Sequence, residues 1–376
     1  MSGPADHLAE DVLPGHPDRL ADALAERVVA EAAAVDPRAL VAVEVSVFRL
    51  RVFVTGHVAA GGRPGCGRPF SPLPLAAWAA QTYREAGCTG RWEMRPEVVA
   101  EVVVGPLGDE DAEVRGLSDD QSIVVGHAVG SPATGYLPPG PFVARRLRRA
   151  LEGLRSRHPE ELGPDGKVLV HLAAPDGPGP LEWRSCNVAV QHSPNVGTEA
   201  LHRLVVPALQ AEADGLEEVL PGAGRTFAPE VVRLNGFGAF VWGGPWGDNG
   251  LSGKKLVVDH YGPGVPVGGG ALCGKDVHRA DRVGALAARE VAVRIVRDTP
   301  AREATVWLGW LTGRPAPDVV TAVVDGERWD TGRLAAEGVL PDLSIEATVQ
   351  RLELQSLPWE EVVAKGWFGN GWAWER

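Results

Sequence analysis

Residues 243–255 read GGPWGDNGLSGKK, a glycine-rich segment that ends in two lysines. A second cluster, GGGALCGKD, follows at residues 268–276. Glycine has no Cβ atom, so backbone N–H groups in such segments can approach an anion closely. The two segments and the residues just after them carry four cationic side chains, which are Lys254, Lys255, Lys275 and Arg279. This combination predicts a binding site for a polyphosphate group.

Three aspartates in the same region, Asp248, Asp276 and Asp281, add carboxylate oxygens. Proteins bind Mg²⁺ through such oxygens together with phosphate oxygens of the substrate. The aspartates therefore extend the prediction to a polyphosphate ligand that is bound together with a metal ion. Glycines and lysines alone are equally typical of turns in a solvated loop, so the prediction depends on the full pattern.

The composition is that of a globular protein. The 376 residues are 44% hydrophobic and 23% charged, and a chain of this length can form two or three packed units. The formal net charge of −12 argues against broad nucleic-acid binding, which requires a basic face. No apolar run is long enough to span a membrane, so we expect no membrane partner.

The cysteines and the N-terminal residues indicate in which cellular compartment we expect the protein. None of the four cysteines, Cys66, Cys88, Cys186 and Cys273, belongs to a CxxC pair or has a zinc-like spacing with histidine. We therefore expect reduced thiols. Residues 1–10 have neither the basic nor the apolar region of a secretory signal, and we expect a cytoplasmic protein.

Hydrophobic periodicity predicts an alternation of helices and strands. Apolar residues four apart, such as Leu20, Leu24 and Val28, indicate helices, whereas alternating residues indicate strands. The first predicted helix begins at Pro17. The others span about residues 75–85, 141–155, 198–209 (with Thr198 as its cap), 281–296 and 344–352. The predicted strands are 41–47, 50–54, 168–174, 181–191, 305–311 and 319–324, with a turn at 175–180 and a mobile loop at 105–122.

The predicted elements repeat the order helix, strand, strand, helix three times. Side-chain similarity between the repeats is weak, so the repeat is structural. We therefore predict an α+β fold of three α-β-β-α units, which comprise residues 5–104, 115–232 and 233–376. Three such units can pack their sheets around a common centre.

Several further motifs accompany the glycine-rich segments. VDHYG lies between those segments at residues 258–262, and GHPD occupies residues 15–18. The remaining motifs are GPDGK at 163–167, QHS at 191–193 and GWFG at 366–369. Together they resemble the motifs of the S-adenosylmethionine synthetase (methionine adenosyltransferase) family over nearly the whole chain. The resemblance implies a three-unit α+β fold, with active sites at a tight interface in a homodimer or a dimer of dimers.

In that family the sulfur of methionine attacks the 5′ carbon of ATP, the triphosphate leaves, and it is then cleaved to pyrophosphate and phosphate. The resemblance thus implies ATP and methionine as substrates and Mg²⁺ and K⁺ as cofactors. A leaving triphosphate requires preorganised cations and hydrogen-bond donors. By resemblance, the residues that supply them here are His16, Lys167, Lys255 and Lys275.

The same resemblance assigns the ligand-binding residues. ATP is expected to contact those four together with Asp165, Phe240, Asp248, Lys254 and Ala271. The second substrate is expected to contact His57, Asp120, Asp248 and Arg279. The expected metal ligands are Asp18 and Asp281 for Mg²⁺ and Glu44 for K⁺. Each residue alone has an ordinary structural explanation, such as a helix cap for His16, so the functional interpretation depends on the agreement of several motifs.

The sequence departs from the family mainly in the amino-acid half of the site. His57 stands where the family has a glutamate that binds the methionine amino group, and LSDDQS at residues 117–122 replaces GAGDQG. The loop before residue 117 is also shorter and lacks a counterpart of the methionine-binding glutamine. Trp307–Leu311 replaces SYAIG, and Ala239 replaces an arginine on the phosphate side.

These departures leave three hypotheses open. The first is synthesis of S-adenosylmethionine from ATP and methionine. The second is a relative that keeps the ATP and Mg²⁺ site but uses a different sulfur or amine nucleophile, or a carboxylate. The third is a catalytically weak subunit that binds nucleotide for a partner. Retention of His16, Lys275 and Asp281 counts against the third, whereas His57 and Ala239 count against the first.

Overall fold

The computed structural model describes residues 6–62, 73–173 and 180–376, which form an α+β fold. The strands are β1 (Asp6–Val12), β2 (Leu40–Phe48), β3 (Arg51–Ala59), β4 (Glu97–Gly105), β5 (Ser122–Val129), β6 (Leu162–Ala173), β7 (Glu182–His192), β8 (Val232–Leu234), β9 (Gly250–Leu251), β10 (Glu303–Trp310), β11 (Val319–Val324) and β12 (Glu327–Asp330). The helices are α1 (Pro17–Val35), α2 (Leu75–Glu85), α3 (Asp109–Glu113), α4 (Pro139–Arg157), α5 (Thr198–Leu216), α6 (Leu256–Asp259), α7 (Ala280–Asp298), α8 (Thr331–Ala336), α9 (Ile345–Arg351) and α10 (Trp359–Lys365). Within these ranges, no helix combines the length and apolar character needed to cross a bilayer.

The described strands form three sheets of four strands each. Their orders are β1-β6-β7-β8, β4-β3-β2-β9 and β12-β11-β10-β5. Each sheet takes one strand from another third of the sequence, because β1, β9 and β5 all pair outside their own predicted unit. The predicted units at 5–104, 115–232 and 233–376 therefore exchange strands cyclically, and their boundaries stay a prediction.

The sheet that contains β2 is half-buried, as its alternating sequence predicts. The four valines of β2 are buried, whereas Glu44 on the opposite face is exposed. Helix α1 covers the buried face with Leu20, Leu24 and Val28, all of which are fully buried. The amphipathic periodicity of α1 thus decides which face of this sheet remains open.

Helix α7 is buried along most of its length, and it packs against β5 and β10. The aromatic C-terminal segment closes the other side of this core, where Trp359, Trp367 and Trp374 are buried. The guanidinium of Arg282 lies 3.7 Å from the ring centroid of Trp359 and forms an ion pair with Glu26. The tryptophans of this segment are therefore packing residues.

The structure also corrects several predictions. β1, β4 and β5 were not predicted. In β4 apolar residues follow one another at 98–100 and 102–104, so its sequence lacks the polar–apolar alternation of a half-buried strand. Residues 105–122 are not a continuous loop, since they include α3 and the first residue of β5. Helix α5 runs on to Leu216, and its N-cap is Gly197 rather than Thr198. Residues 174–179, which hold most of the predicted turn at 175–180, and Cys66 lie outside the described residues.

Candidate active site

The first turn of α1 places His16 and Asp18 next to each other. His16 is the N-cap of the helix, and its Nδ1 accepts a hydrogen bond of 3.2 Å from the backbone N–H of Asp18. The proton of the neutral ring is therefore on Nε2, which is free to act as a donor. Burial, followed by the nearby charge of Lys255, lowers the pKa of His16 to about 4. His16 is consequently a neutral hydrogen-bond donor at physiological pH.

Asp18 is buried and is contacted by two lysines. The Nζ atom of Lys255 lies 2.9 Å from Oδ2, and that of Lys254 lies 3.7 Å from Oδ1. The backbone N–H of Leu251 in β9 donates to Oδ1 at 3.0 Å. Burial opposes ionisation, but hydrogen bonds from Lys255 and Leu251 hold the pKa of Asp18 below its ordinary value. Strand β9 thereby joins the glycine-rich segment to the N-terminus of α1.

Strand β6 carries the next two predicted residues. Asp165 is buried and accepts a hydrogen bond of 2.7 Å from the backbone N–H of Gly244. Burial raises the pKa of Asp165 to about 6. Lys167 is partly exposed and forms an ion pair of 2.5 Å with Glu10 in β1. We call the following set the histidine cluster: His16, Asp18, Asp165, Lys167, Lys254 and Lys255.

A second group of predicted residues lines a cleft of about 1290 Å³. β2, β3, β5 and the glycines at 268–270 form its walls, and we refer to it as the cleft. Lys275 forms an ion pair with Asp281, and the hydroxyl of Ser122 donates to the same carboxylate. The other predicted residues that line the cleft are Glu44, Asp120 and Ala271. Acidic, basic and apolar groups thus meet in one concave site, which is typical of ligand-binding clefts.

Four predicted residues lie in neither group. Phe240 is half-buried, and its backbone N–H donates to His192. Asp248 is exposed and accepts from the backbone of the next residue. Arg279 forms an ion pair with Asp119 outside the cleft lining. The fourth is His57.

His57 is exposed on the open face of its sheet. It pairs with Ala42 across β2 and β3, and Ala42 forms a single β-bridge with Lys275. Thr55, two residues earlier on the same face, lines the cleft. His57 therefore lies beside the cleft wall, opposite the lining residue Ala42 and close to the segment that carries Lys275.

Asp276 is a structural residue, which corrects its prediction as a magnesium ligand. Its carboxylate accepts backbone hydrogen bonds from Val41 and His278 and forms an ion pair with Arg115. These partners lower its pKa to about 2 although the group is buried. All of its acceptor capacity serves the fold, so it is not available to a metal ion.

Sequence reasoning missed several partners of the functional residues. Ser122, the last residue of LSDDQS, donates to Asp281, and Glu10, which lies in no motif, pairs with Lys167. The pairing of Arg19 with Asp22 could have been predicted, because the two residues lie three apart in a predicted helix and side chains at that spacing meet. The structure joins Arg19 to Asp22 at 3.1 Å and to Asp259 at 2.5 Å.

Asp22, Asp259 and Cys273 place one ligand atom each within 4.8 Å of one another. A spacing of this kind is compatible with a metal ion. The guanidinium of Arg19, however, already contacts both carboxylates. This buried group is therefore an ion-pair network that supports α1.

Comparisons with known proteins show what the whole chain resembles. Residues 242–376 match the S-adenosylmethionine synthetase C-terminal domain family. S-adenosylmethionine synthases of Corynebacterium kroppenstedtii and Maricaulis maris are 30% and 31% identical, and each alignment covers 98% of this chain and 95% of the relative. The solved structure of an unusual S-adenosylmethionine synthetase from Campylobacter jejuni has a TM-score of 0.84 at 24% identity, over 99% of this chain and 97% of that chain. The likeness to that structure extends over all three sheets of the fold.

Proposed function

Because the chain belongs to the S-adenosylmethionine synthase family, we propose that it transfers the adenosyl group of ATP to the sulfur of methionine. A lone pair of the sulfur attacks the 5′ carbon, and the electron pair of the breaking C5′–O bond moves to the triphosphate. We further propose that the released triphosphate is cleaved to pyrophosphate and phosphate. The observation that carries the proposal is the neutral His16 beside Asp18 and Lys255 at the start of a helix.

The histidine cluster suits the departure of a polyphosphate. The Nε2–H of His16 supplies a neutral hydrogen bond to the leaving oxygen, and one preorganised donor at a developing negative charge contributes about 10²- to 10³-fold. Lys254 and Lys255 add positive charge, and the N-terminal end of the α1 dipole adds partial positive charge. These groups are in place before the reaction, which is what stabilisation of a developing charge requires.

The carboxylates fit the expected Mg²⁺ ions. Protein-bound Mg²⁺ usually takes one or two carboxylates and completes its coordination with water and substrate phosphates. Asp18 and Asp281 each present one carboxylate beside a lysine, a donor set that suits a phosphate-bound ion. When bound, Mg²⁺ would neutralise charge on the phosphate oxygens. Glu44 presents a carboxylate to the cleft and is our proposed ligand for K⁺.

The separation of the two groups supports a second copy of the chain as partner. Among the described residues, no hydrogen bond or ion pair connects His16, Lys167 or Lys255 with Lys275 or Asp281. We therefore propose that the histidine cluster of one copy completes the cleft of another, in a homodimer or a dimer of dimers.

The open face of the sheet around β3 offers a surface for that contact. Phe53, Val99 and Val103 are exposed on this sheet, and Ile123 and Val319 are exposed at the rim of the cleft. Apolar side chains that are exposed together are typical of protein–protein interfaces. A second copy that covers them would bring its own cations to the cleft.

One observation favours an alternative second substrate. His57 has no carboxylate to offer a substrate ammonium, and loss of such a charged hydrogen bond weakens binding by about 1.5–3 kcal/mol. A family relative with the same ATP site and a different nucleophile would need no glutamate at this position. The third hypothesis, a catalytically weak subunit, is not supported by the complete histidine cluster.

One assay separates the two proposals. The protein is incubated with ATP, MgCl₂ and KCl, with and without methionine, and the products are identified by mass spectrometry. S-adenosylmethionine that forms only with methionine is the expected result. Triphosphate cleavage without that product would favour a different nucleophile. Absence of turnover under both conditions would contradict synthesis of S-adenosylmethionine, because a relative with another nucleophile finds no acceptor for the adenosyl group in this mixture.

A further inference from the structure

A small cavity lies where α1, α4 and α10 meet the end of β1, away from the cleft. Its volume is about 180 Å³, and its walls come from all three regions of the chain. Pockets at such junctions are frequent ligand sites. Four arginines line it, which are Arg19, Arg27, Arg145 and Arg148.

Two of these arginines are each paired with two carboxylates. Arg19 pairs with Asp22 and Asp259, and Arg148 pairs with Asp11 and Glu152. Charges that are paired in this way have little capacity left for a ligand.

Arg27 is only partly engaged. It forms ion pairs of 2.5 Å with Glu85 through Nη2 and with Glu360 through Nε. Its Nη1 is buried and has no hydrogen-bond partner among the described residues. A buried donor of this kind is costly unless something accepts from it.

Arg145 is buried, and among the described residues it forms no ion pair with a carboxylate. It is 6% exposed, and its one hydrogen bond in the described part of the chain is donated by Nη1 to the carbonyl of Phe368. The guanidinium packs closely against Gly366, where a Cβ atom would lie 2.7 Å from Cζ. Burial lowers the pKa of Arg145 to about 10, and the charges of Arg149 and Arg148 act in the same direction, whereas the nearby charges of Asp11 and Glu375 oppose them. Its Nε and Nη2 donate no hydrogen bond to the described residues and therefore form a fork that can donate to an anion.

We propose that this cavity binds a small oxyanion through the fork of Arg145, with Nη1 of Arg27 as a second donor. The planar guanidinium matches the paired oxygens of a phosphate or a carboxylate. Five carboxylates also line the cavity, namely Asp11, Glu85, Glu152, Asp259 and Glu360. They disfavour a highly charged ligand, so the site accepts an anion of the size and charge of inorganic phosphate, sulfate or acetate rather than a triphosphate.

A crystallographic soak locates the anion directly. Crystals of the unmodified protein, grown without oxyanions, are soaked in selenate, a tetrahedral oxyanion with an anomalous signal. We expect an anomalous peak within hydrogen-bond distance of the Arg145 guanidinium. Peaks only at other sites, or none, would overturn the proposal for tetrahedral anions.

Binding in solution tests the role of Arg145. Phosphate and acetate are each titrated against the thermal midpoint of unfolding, with chloride at equal ionic strength as reference. Arg145→Met keeps the length of the side chain and removes its charge. Arg146→Met is the matched control, because Arg146 is the next residue and pairs with Glu212 on another face of α4.

We expect the unmodified protein and Arg146→Met to respond alike, and Arg145→Met to bind at least about tenfold more weakly. The anion that acts at lower concentration identifies the preferred geometry, tetrahedral or planar. An equal response of all three proteins, or no response of the unmodified protein to either anion, would refute the assignment. If Arg145→Met does not fold, the selenate soak and an acetate-soaked crystal of the unmodified protein decide the question.

Discussion

At the scale of single residues, the site depends on side chains whose charge state is set by their neighbours. His16 is kept neutral by burial and by the cation of Lys255, and Asp18 is kept ionised by the same lysine. One lysine thus favours both a neutral donor at His16 and an ionised carboxylate at Asp18, our proposed magnesium ligand. Lys275 has the corresponding position beside Asp281 in the cleft.

Lys275→Ala tests the contribution of the cleft to the proposed reaction. We expect kcat to fall by about 100-fold or more, because removal of one preorganised group at a developing charge has an effect of that order. The fold should persist, since Lys275 is partly exposed and its partner Asp281 keeps the hydrogen bond from Ser122. Steady-state kinetics and circular dichroism measure the two effects. Lys365→Ala, which removes an exposed lysine paired with Glu361, is the control. Near-normal activity of Lys275→Ala would remove this residue from the mechanism.

His57→Glu tests whether the second-substrate pocket is remodelled. If methionine is the substrate, a carboxylate at this exposed position should lower its KM by about tenfold or more, since a charged hydrogen bond contributes about 1.5–3 kcal/mol. His57→Gln, which is neutral, should leave KM unchanged. An identical KM in His57→Glu and the parent protein would show that this position does not bind the amino group.

At the scale of elements, the N-terminus of α1 is assembled from distant segments. The backbone N–H of Leu251 in β9 donates to Asp18. Lys254 and Lys255, a few residues later in the chain, form ion pairs with the same carboxylate. The backbone N–H of Gly253 donates to Asp22 one turn further along α1. Helix α1 and the glycine-rich segment therefore form one structural unit, although more than 200 residues separate them.

The buried imidazole at this helix start makes stability depend on pH. The pKa of His16 is about 4 in the folded protein, against an ordinary value of 6.5. Between these values the unfolded chain binds the additional proton, so the free energy of unfolding decreases as pH falls from 6.5 to 4. Above pH 6.5 both states are neutral at this residue and the contribution vanishes. One pKa unit corresponds to about 1.4 kcal/mol, so the loss amounts to about 3 kcal/mol.

His16→Asn isolates this contribution, because asparagine also caps helices but does not titrate. Urea unfolding at several pH values should show a smaller loss of stability between pH 6.5 and 4 for the variant than for the parent protein. Equal losses would assign the acid sensitivity to other groups. Asp165, with a raised pKa of about 6, acts in the opposite direction and is present in both proteins.

At the scale of the whole molecule, the three sheets are interlocked by exchanged strands, and two of them leave apolar side chains exposed near the cleft. The histidine cluster and the cleft are separate groups in one chain. Our proposal that two copies complete each other's sites makes activity depend on assembly.

Val103→Asp tests the dependence of activity on assembly. Val103 is 63% exposed on the open sheet face, so an aspartate there should not disturb the core but should weaken association. We expect sedimentation velocity to show a shift toward the monomer, together with loss of turnover. Val114→Asp is the matched control, since Val114 is 54% exposed in a 3₁₀ turn outside the sheets. A monomer with full activity would contradict the proposed shared site.

Local sequence patterns predicted many of the elements, since α2 and β11 were placed at their observed ends and α1 was placed by its apolar face. Periodicity and capping act over a few residues, so they can be read from the chain. The motifs likewise indicated His16, Asp18, Lys255 and Lys275 as residues of one chemistry. Their division into the histidine cluster and the cleft did not follow from any motif.

The strand exchange, the loss of Asp276 to the fold and the open fork of Arg145 were decided by tertiary packing alone. Each depends on contacts between residues far apart in sequence, such as the bond from Val41 to Asp276 or the pairing of β1 with β6. Burial and partner geometry set the charge and availability of these groups, and no local pattern encodes either. The chemical type of the site residues could therefore be predicted from the sequence, whereas the availability of each side chain for function depended on the fold.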